Sequence, residues 1–194
     1  FSEFKKMLLS NEDFLKKNRH FINGVICEIA DNTYSKNFGT DIKKLEVLNY
    51  TDDNKNATII GDLTECDTLP NETIDCFILT QTLNFIYDFK SAIKGLHYML
   101  KKDGIALVTV AGICQISRYD MNRWGDYWRF TDLSIKKIFE EIFGEDNVEV
   151  ESYGNVLSTT AFIQGIAAEE LTKNELFKKD DDYQVTITIK AVKK

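Results

Sequence analysis

The chain has 194 residues, 43% of them apolar and 28% charged, with a formal net charge of −7. That is length enough for one domain with a sizeable core, and the acidic balance excludes a nucleic-acid binder driven by phosphate neutralisation, which needs a basic face. No run of 18 apolar residues offers a membrane span; Cys27, Cys66, Cys76 and Cys114 form no C-x-x-C pair and only His20 and His97 could join them, so no metal site is expected and a reducing cytoplasm fits.

Residues 1–18 place Phe4, Met7, Leu8, Phe14 and Leu15 among lysines, predicting a helical brace on the main body. Gly24–Ile29 is a short apolar run ending in a carboxylate and predicts a buried parallel strand, followed by a turn with one helical turn over 30–39. Leu45–Leu48 and Ala57–Ile60 read as strands two and three on either side of the polar loop Asp52–Asn56. Ile74–Leu79 is strand four, after the Pro70-Asn71 turn. Asp88–Lys101 carries Phe89, Ile93, Leu96 and Leu100 at helical spacing, and Asp103-Gly104 is expected to stop that helix before strand five, Ile105–Val110. Thr131 or Asp132 can cap a helix with the stripe Leu133, Ile135, Ile138, Phe139 and Ile142, ended by Gly144. Val148–Ser152 reads as a strand and Val156–Leu171 as a helix. Val185–Ala191 alternates with period two and predicts a half-exposed, antiparallel terminal strand. Strands separated by helix-length segments predict a single α/β domain: a Rossmann-like, mostly parallel sheet with helices on both faces.

Ligands on such sheets sit outside the carboxyl ends of the strands. Here polar residues follow every strand on that edge: Glu28 with Asp31 and Asn32, then Thr51 with Asp52 and Asp53, then Gly61-Asp62, then Thr80-Gln81-Thr82. Carboxylates after strands two and three suit hydroxyls and an amine, and repel phosphates. Neither a G-x-x-x-x-G-K-[ST] loop nor G-x-G-x-x-G is present, against a P-loop nucleotidase and an NAD-dependent oxidoreductase. After strand five comes a segment that holds both tryptophans, Trp124 and Trp128, with Arg118, Tyr119, Asp120, Arg123, Asp126, Tyr127 and Arg129. It reads either as a loop folded back on the core by Arg/Asp pairs or as the wall of a site.

The order of these elements, with Val25–Glu28, Gly61-Asp62, Thr80–Ile86, Leu100–Ile105 and Tyr127–Thr131, resembles the class I S-adenosylmethionine-dependent methyltransferase family, well over residues 20–145 and loosely beyond. More narrowly, it looks like the small methyltransferase domains found with glycosyltransferases in bacterial surface-polysaccharide synthesis. The resemblance implies S-adenosylmethionine as cofactor and S-adenosylhomocysteine as product, with a saccharide or related small hydroxylated acceptor. It also implies a glycosyltransferase fused to the chain or working with it, and a single domain over 1–194 with a brace at 1–18 and an acceptor-side aromatic segment at 111–131. It places Glu28 beside the methionine end of the cofactor, with Ala30, Asp31 and Asn32 in the turn. Asp52 would hold the ribose, Asp62 the adenine amine and Leu63 its face, and Thr80, Gln81 and Thr82 would lie near the sulfonium.

Two features depart from the family pattern. Ala30, Asn32 and Tyr34 stand where its glycine-rich turn would fall, and Thr51 stands where its acidic residue usually ends strand two, leaving Asp52 to reach the ribose. These departures, with a chain that begins at Phe1, motivate a second reading: a catalytically silent docking module of a larger protein. On the enzymatic reading, methyl transfer to a sugar hydroxyl needs alignment, exclusion of water and a base. His20 and His97 fall away from the inferred edge, so Asp120 and Asp126 are the candidates for the base; either would lose basicity if tied to Arg118, Arg123 or Arg129, and Asp120, with Tyr119, is preferred. Tyr119, Trp124, Tyr127 and Trp128 would wall the acceptor, and Arg118 or Arg123 would hold an anionic group on it.

Overall fold

A computed structural model describes residues 9–166 and 170–194. Phe4, Met7 and Leu8 of the expected brace, and residues 167–169 of the expected later helix, lie outside the described residues. In chain order the elements are α1 (Leu9–Lys17), β1 (Gly24–Ile29), α2 (Thr33–Phe38), β2 (Ile42–Asn49), β3 (Ile59–Ile60), β4 (Ile74–Thr80), α3 (Phe89–Met99), β5 (Leu100–Ala111), α4 (Arg118–Met121), α5 (Asp132–Phe143), β6 (Val148–Tyr153), α6 (Val156–Ile163), α7 (Lys173–Phe177) and β7 (Thr186–Val192).

The strands form one seven-stranded sheet in the order β3-β2-β1-β4-β5-β7-β6. β1 pairs in parallel with β2 and β4, and β4 with β5, while β7 runs antiparallel to both β5 and β6. Alternation along each strand divides the apolar side chains between two faces. Cys27, Phe77, Ala106 and Val108 point to the side covered by α3 and α5, where Ile93, Leu96, Ile135 and Phe139 complete the larger core. Ile26, Ile78, Ile105 and Leu107 point to the side where Phe14 and Leu15 of α1 pack, with Tyr34 and Phe38 of α2 against them. With both faces covered, the central strands are buried almost throughout, which is why they read as continuous apolar runs.

Four expectations need correction. The helix before strand five ends at Met99, and Leu100 already belongs to β5, paired with Ile74. Asp103 takes a left-handed φ of 61° and the register with β4 shifts between Ile74 and Cys76, so the strand absorbs the Asp103-Gly104 turn as an irregularity. The terminal strand is not half-exposed: it is inserted between β5 and β6, with Thr186 and Thr188 buried and the Thr188 hydroxyl donating to the Glu151 carbonyl at 3.3 Å. Leu133 is not part of the α5 stripe. Two residues of helix rotate by roughly 200°, so Leu133 faces water while Ile135, Phe139 and Phe143 face the sheet. The helix from Val156 stops at Ile163, and Gly165, at φ 73°, turns the chain away. The short α7 was not anticipated, although its capping box, Thr172 with Glu175, is visible in the sequence.

Phe139→Ala should destabilise the fold by about 3–5 kcal/mol, because it leaves a cavity under a fully buried ring. Leu133→Ala should stay within about 0.5 kcal/mol of the parent. Urea denaturation of both variants checks the assignment of the helix face.

Candidate active site

The carboxyl end of β1 is built around Glu28. Its side chain is buried, and its carboxylate accepts from the backbone N–H of Tyr34 at 3.2 Å and of Ser35 at 2.7 Å, in the first turn of α2. Burial pushes the carboxyl up, and the hydrogen bonds from the Ser35 and Tyr34 side oppose that shift. The turn between them has no glycine, yet Ala30 sits at φ 66°. It is held there by its N–H, which donates to the Leu48 carbonyl at 3.1 Å, and by its carbonyl, which accepts from Asn54 Nδ2 at 2.6 Å. A left-handed alanine is a strained residue kept in place by its surroundings. Asp31 is exposed and its carboxylate accepts from Thr33 N–H at 2.9 Å, while Asn32 precedes α2 without a side-chain cap.

β2 runs to Asn49, whose amide donates to the Thr51 carbonyl at 2.8 Å and to the Asp53 carboxylate at 3.4 Å; the Thr51 hydroxyl also donates to Asp53. Asp53 therefore joins the network at this strand end, beside an exposed Asp52. After β3, one oxygen of Asp62 accepts from the Thr64 N–H and hydroxyl, both at 2.8 Å. Leu63 is a core residue, and its carbonyl lies so close to Gly95 of α3 that no side chain fits there. After β4, Gln81 adopts φ 48°, and its N–H donates to the Thr109 carbonyl at 2.8 Å on β5. The Thr82 hydroxyl donates to the Thr80 carbonyl at 2.9 Å.

The segment after β5 closes over a cleft of about 610 Å³ whose wall includes Gln81, Asn84, Cys114, Ser117, Asp120 and Arg129. Arg118 and Tyr119 also line it. Asp126 and Arg129 pin the segment. The side chain of Asp126 is 1% exposed and accepts a two-pronged pair from Arg129, at 2.5 and 2.9 Å, and the Ser117 N–H at 3.1 Å. Arg129 also donates to the carbonyls of Trp128 at 2.8 Å and Gln115 at 3.0 Å. The guanidinium holds the Asp126 carboxyl well below the usual carboxylate range. Asp120 has no cation partner among the described residues; Ser117 Oγ donates to it at 2.6 Å.

Of the anticipated site residues, the structure thus brings Gln81, Arg118, Tyr119 and Asp120 together around one cleft. It sets four others outside that wall. Arg123 lies 3.3 Å over the Tyr119 ring and donates to the Tyr119 carbonyl at 2.9 Å. Trp124 is exposed. Tyr127 is half-exposed and edge-on to Tyr87, its N–H bound to the Asn84 carbonyl at 2.9 Å. Trp128 packs between Tyr87 and Phe89, with its ring N–H donating to the Tyr87 carbonyl at 3.1 Å. His20 lies against Phe21, and His97 is edge-on to Phe143, where burial pushes its pKa down. Cys114 is half-buried and lines the cleft. Ser117 was missed, although Ser117-Arg-Tyr-Asp120 is a legible start signal for α4. Asn84 carried no sequence signal, since nothing in its neighbours distinguishes it from a core helical position.

The strand-end groups are mostly acceptors. Asp53 and Asp62 supply carboxylate oxygens, and Asn11 Oδ1 on α1 is buried with no partner among the described residues. Such a set fits a ligand rich in donors, such as a nucleoside with hydroxyls, an amine and an ammonium, and does not fit phosphates. Among the described residues no group of three or more His, Cys, Asp or Glu side chains could hold a metal ion, and no helix is long and apolar enough to cross a membrane.

Comparison with known proteins agrees with this geometry. Residues 22–108 match the family model of a methyltransferase domain, the stretch from the approach to β1 into β5. A SAM-dependent methyltransferase of Thermotoga maritima superposes with a TM-score of 0.64 at 15% identity, covering 100% of this chain and 93% of its own. A SAM-dependent methyltransferase of Archaeoglobus fulgidus gives 0.60 at 13%, covering 96% and 94%. A Haemonchus contortus phosphoethanolamine N-methyltransferase, solved with S-adenosylhomocysteine and phosphomonomethylethanolamine, gives 0.55 at 15%, covering 95% of this chain and 52% of its own. No curated protein sequence matches the chain significantly. The fold is that of S-adenosylmethionine-dependent methyltransferases, and the 22–108 match runs from just before β1 into β5.

Because the Asp126 pKa is depressed on folding, its contribution to stability is complete above the unfolded carboxyl pKa of about 4 and is lost as pH falls through the folded value. Asp126→Asn should therefore cost about 1.5–3 kcal/mol at pH 7, and the gap to the parent should narrow below about pH 4. Denaturant titrations at pH 7 and pH 3 measure it.

Proposed function

We propose that this protein is an S-adenosylmethionine-dependent methyltransferase that methylates an oxygen of a saccharide or related small hydroxylated acceptor. The observation that carries this reading is the adjacency of two sites on one sheet edge. Acceptor-rich turns follow β1 to β3, and the cleft under the segment after β5 begins at Gln81, in the turn after β4.

The cofactor, when bound, supplies an electrophilic methyl group on a sulfonium. On this reading Asp62 takes the adenine amine with its second oxygen, backed by Leu63, and Asp52 or its neighbour Asp53 takes the ribose hydroxyls. Glu28 keeps the turn Ala30-Asp31-Asn32 in place from beneath, and Thr80, Gln81 and Thr82 face the reacting end. Asp120 is the group that takes the acceptor hydroxyl's proton. Asp126 is committed to Arg129 and so holds a carboxylate of low basicity, whereas the Asp120 carboxylate accepts only from the Ser117 hydroxyl among the described residues. Tyr119 flanks Asp120, and Arg118 is the cleft's cation for an acidic group on the acceptor. Arg123, Trp124, Tyr127 and Trp128 form an outer aromatic rim where a longer saccharide would lie. Four free cysteines agree with a reducing cytoplasm, and the sequence resemblance supports a glycosyltransferase as partner.

The alternative is a silent docking module in the same fold, favoured by the non-glycine turn at Ala30. Calorimetry separates the two. S-adenosylhomocysteine should bind with micromolar affinity, and Asp62→Ala should weaken it by about 1.5–3 kcal/mol; no heat and no thermal shift at millimolar ligand would leave only the docking module. With an acceptor in hand, Asp120→Asn should lower kcat by about 10²–10⁴ while leaving cofactor affinity unchanged, and unaltered turnover would remove Asp120 from the chemistry.

A further inference from the structure

A second cavity, of about 410 Å³, lies beside the cleft. β5 and β6 both run antiparallel to β7 and so point the same way, and Thr186 of β7 pairs with Ala111 on one side and with Tyr153 on the other. Ala111 lines the cleft, while Tyr153 and Thr186 line the cavity. The two hollows thus stand at one level of the same sheet edge, with Ala111 and Tyr153 two strand spacings apart, about 10 Å. Phe162 of α6 and Val185 line both and form the wall between them.

The frame of this cavity is fixed by one buried side chain. Asn155 donates to the carbonyls of Glu175 and Lys178, both at 2.7 Å, and its Oδ1 accepts from the Ser158 N–H at 2.9 Å, so α6 and α7 are held together over the end of β6. The wall offers apolar surface and no spare charge. Phe162, Leu176, Phe177 and Val185 supply the apolar part. Glu151 accepts from Lys17 of α1 on one oxygen at 2.7 Å and from the Tyr153 hydroxyl on the other at 2.6 Å, and Lys179 pairs with Asp181 at 3.1 Å. The Ser158 hydroxyl is spent in the cap of α6, where it accepts from the Asn155 N–H at 3.0 Å. A phosphate or an ammonium would lose water here and gain few partners, whereas an alkyl or aryl group loses nothing by leaving water. Phe177 is 51% exposed, and an apolar occupant of the cavity would cover a ring that otherwise faces solvent.

Resting on the reading of the cleft as the acceptor site of a methyltransferase, we propose that the second cavity is the subsite for an apolar substituent of the acceptor. The acceptor is then an amphipathic glycoside. Its hydroxylated part lies at Tyr119 and Asp120, and its alkyl or aryl substituent runs past Phe162 to Leu176 and Phe177. By fixing one end of the molecule, the cavity sets which hydroxyl is presented for transfer.

The test uses n-octyl β-D-glucoside below its micelle-forming concentration, methyl β-D-glucoside, which has the same sugar without the chain, and S-adenosylhomocysteine. Calorimetry on the full chain should show the octyl glucoside binding about tenfold or more tighter than the methyl glucoside. Leu176→Asp and Phe177→Asp should each remove most of that difference and leave the affinities for methyl glucoside and S-adenosylhomocysteine unchanged. In the parent, nuclear Overhauser contacts should link the end of the octyl chain to the Phe177 ring and the sugar protons to the Tyr119 ring, a measurement that needs no variant to fold. Equal affinities for the two glucosides, an octyl preference that survives both variants, or a sugar that makes no contact with Tyr119 overturns the subsite while the methyltransferase reading stands. If the parent chain does not bind S-adenosylhomocysteine, that reading falls and takes the subsite with it.

Discussion

The interaction on which the rest of the candidate site depends is the buried carboxylate of Glu28 under the first turn of α2. A carboxylate taken from water needs compensation, and here it comes from the amides of Tyr34 and Ser35, which as helix-start groups would otherwise lack partners. The same two bonds fix where α2 begins. They set the path of Ala30, Asp31 and Asn32, and they place the Tyr34 ring against the cluster that holds Phe14 of α1, Ile26 of β1 and Ile78 of β4. The sheet edge around β1, β4 and α1 is therefore one connected arrangement. A glycine-free turn persists because Leu48 and Asn54 hold the alanine from outside while Glu28 holds the helix start from beneath.

The segment after β5 uses a different device. The segment from Gly112 to Phe130 includes only one short helix. It is fixed by a single charged pair, Asp126 with Arg129, whose spare donors go to the Trp128 and Gln115 carbonyls, and by the tether of Tyr127 and Trp128 to Asn84. This divides its residues by role. Trp128 and Phe130 anchor the segment on Phe89, while Ser117, Arg118, Tyr119 and Asp120 are left to face the cleft. Two carboxylates six residues apart thereby acquire different tasks. One is structural because a guanidinium claims it, and the other is available because only a hydroxyl does.

The layered α/β sheet, the strand ends as the place to look and most helix starts are legible in the residues themselves. Apolar runs at strand length, a 3.6-residue stripe over Ile135–Phe143 and cap residues such as Asp88 and Thr131 are local signals, carried by neighbouring residues and readable without the fold. The resemblance to the methyltransferase family was likewise legible in the 100–105 and 127–131 stretches. The tertiary structure alone decided the rest. Thr186 and Thr188 are buried because β7 is inserted between two strands, which no alternation pattern reveals. Asp126 and Asp120 look alike in the chain, and only the placement of Arg129 separates them. Asn11 and Asn84 became candidate site residues because elements distant in sequence meet at one edge. Local periodicity encodes which way a side chain faces its own element; what it meets there depends on long-range packing, and that is where the chemistry of this site was set.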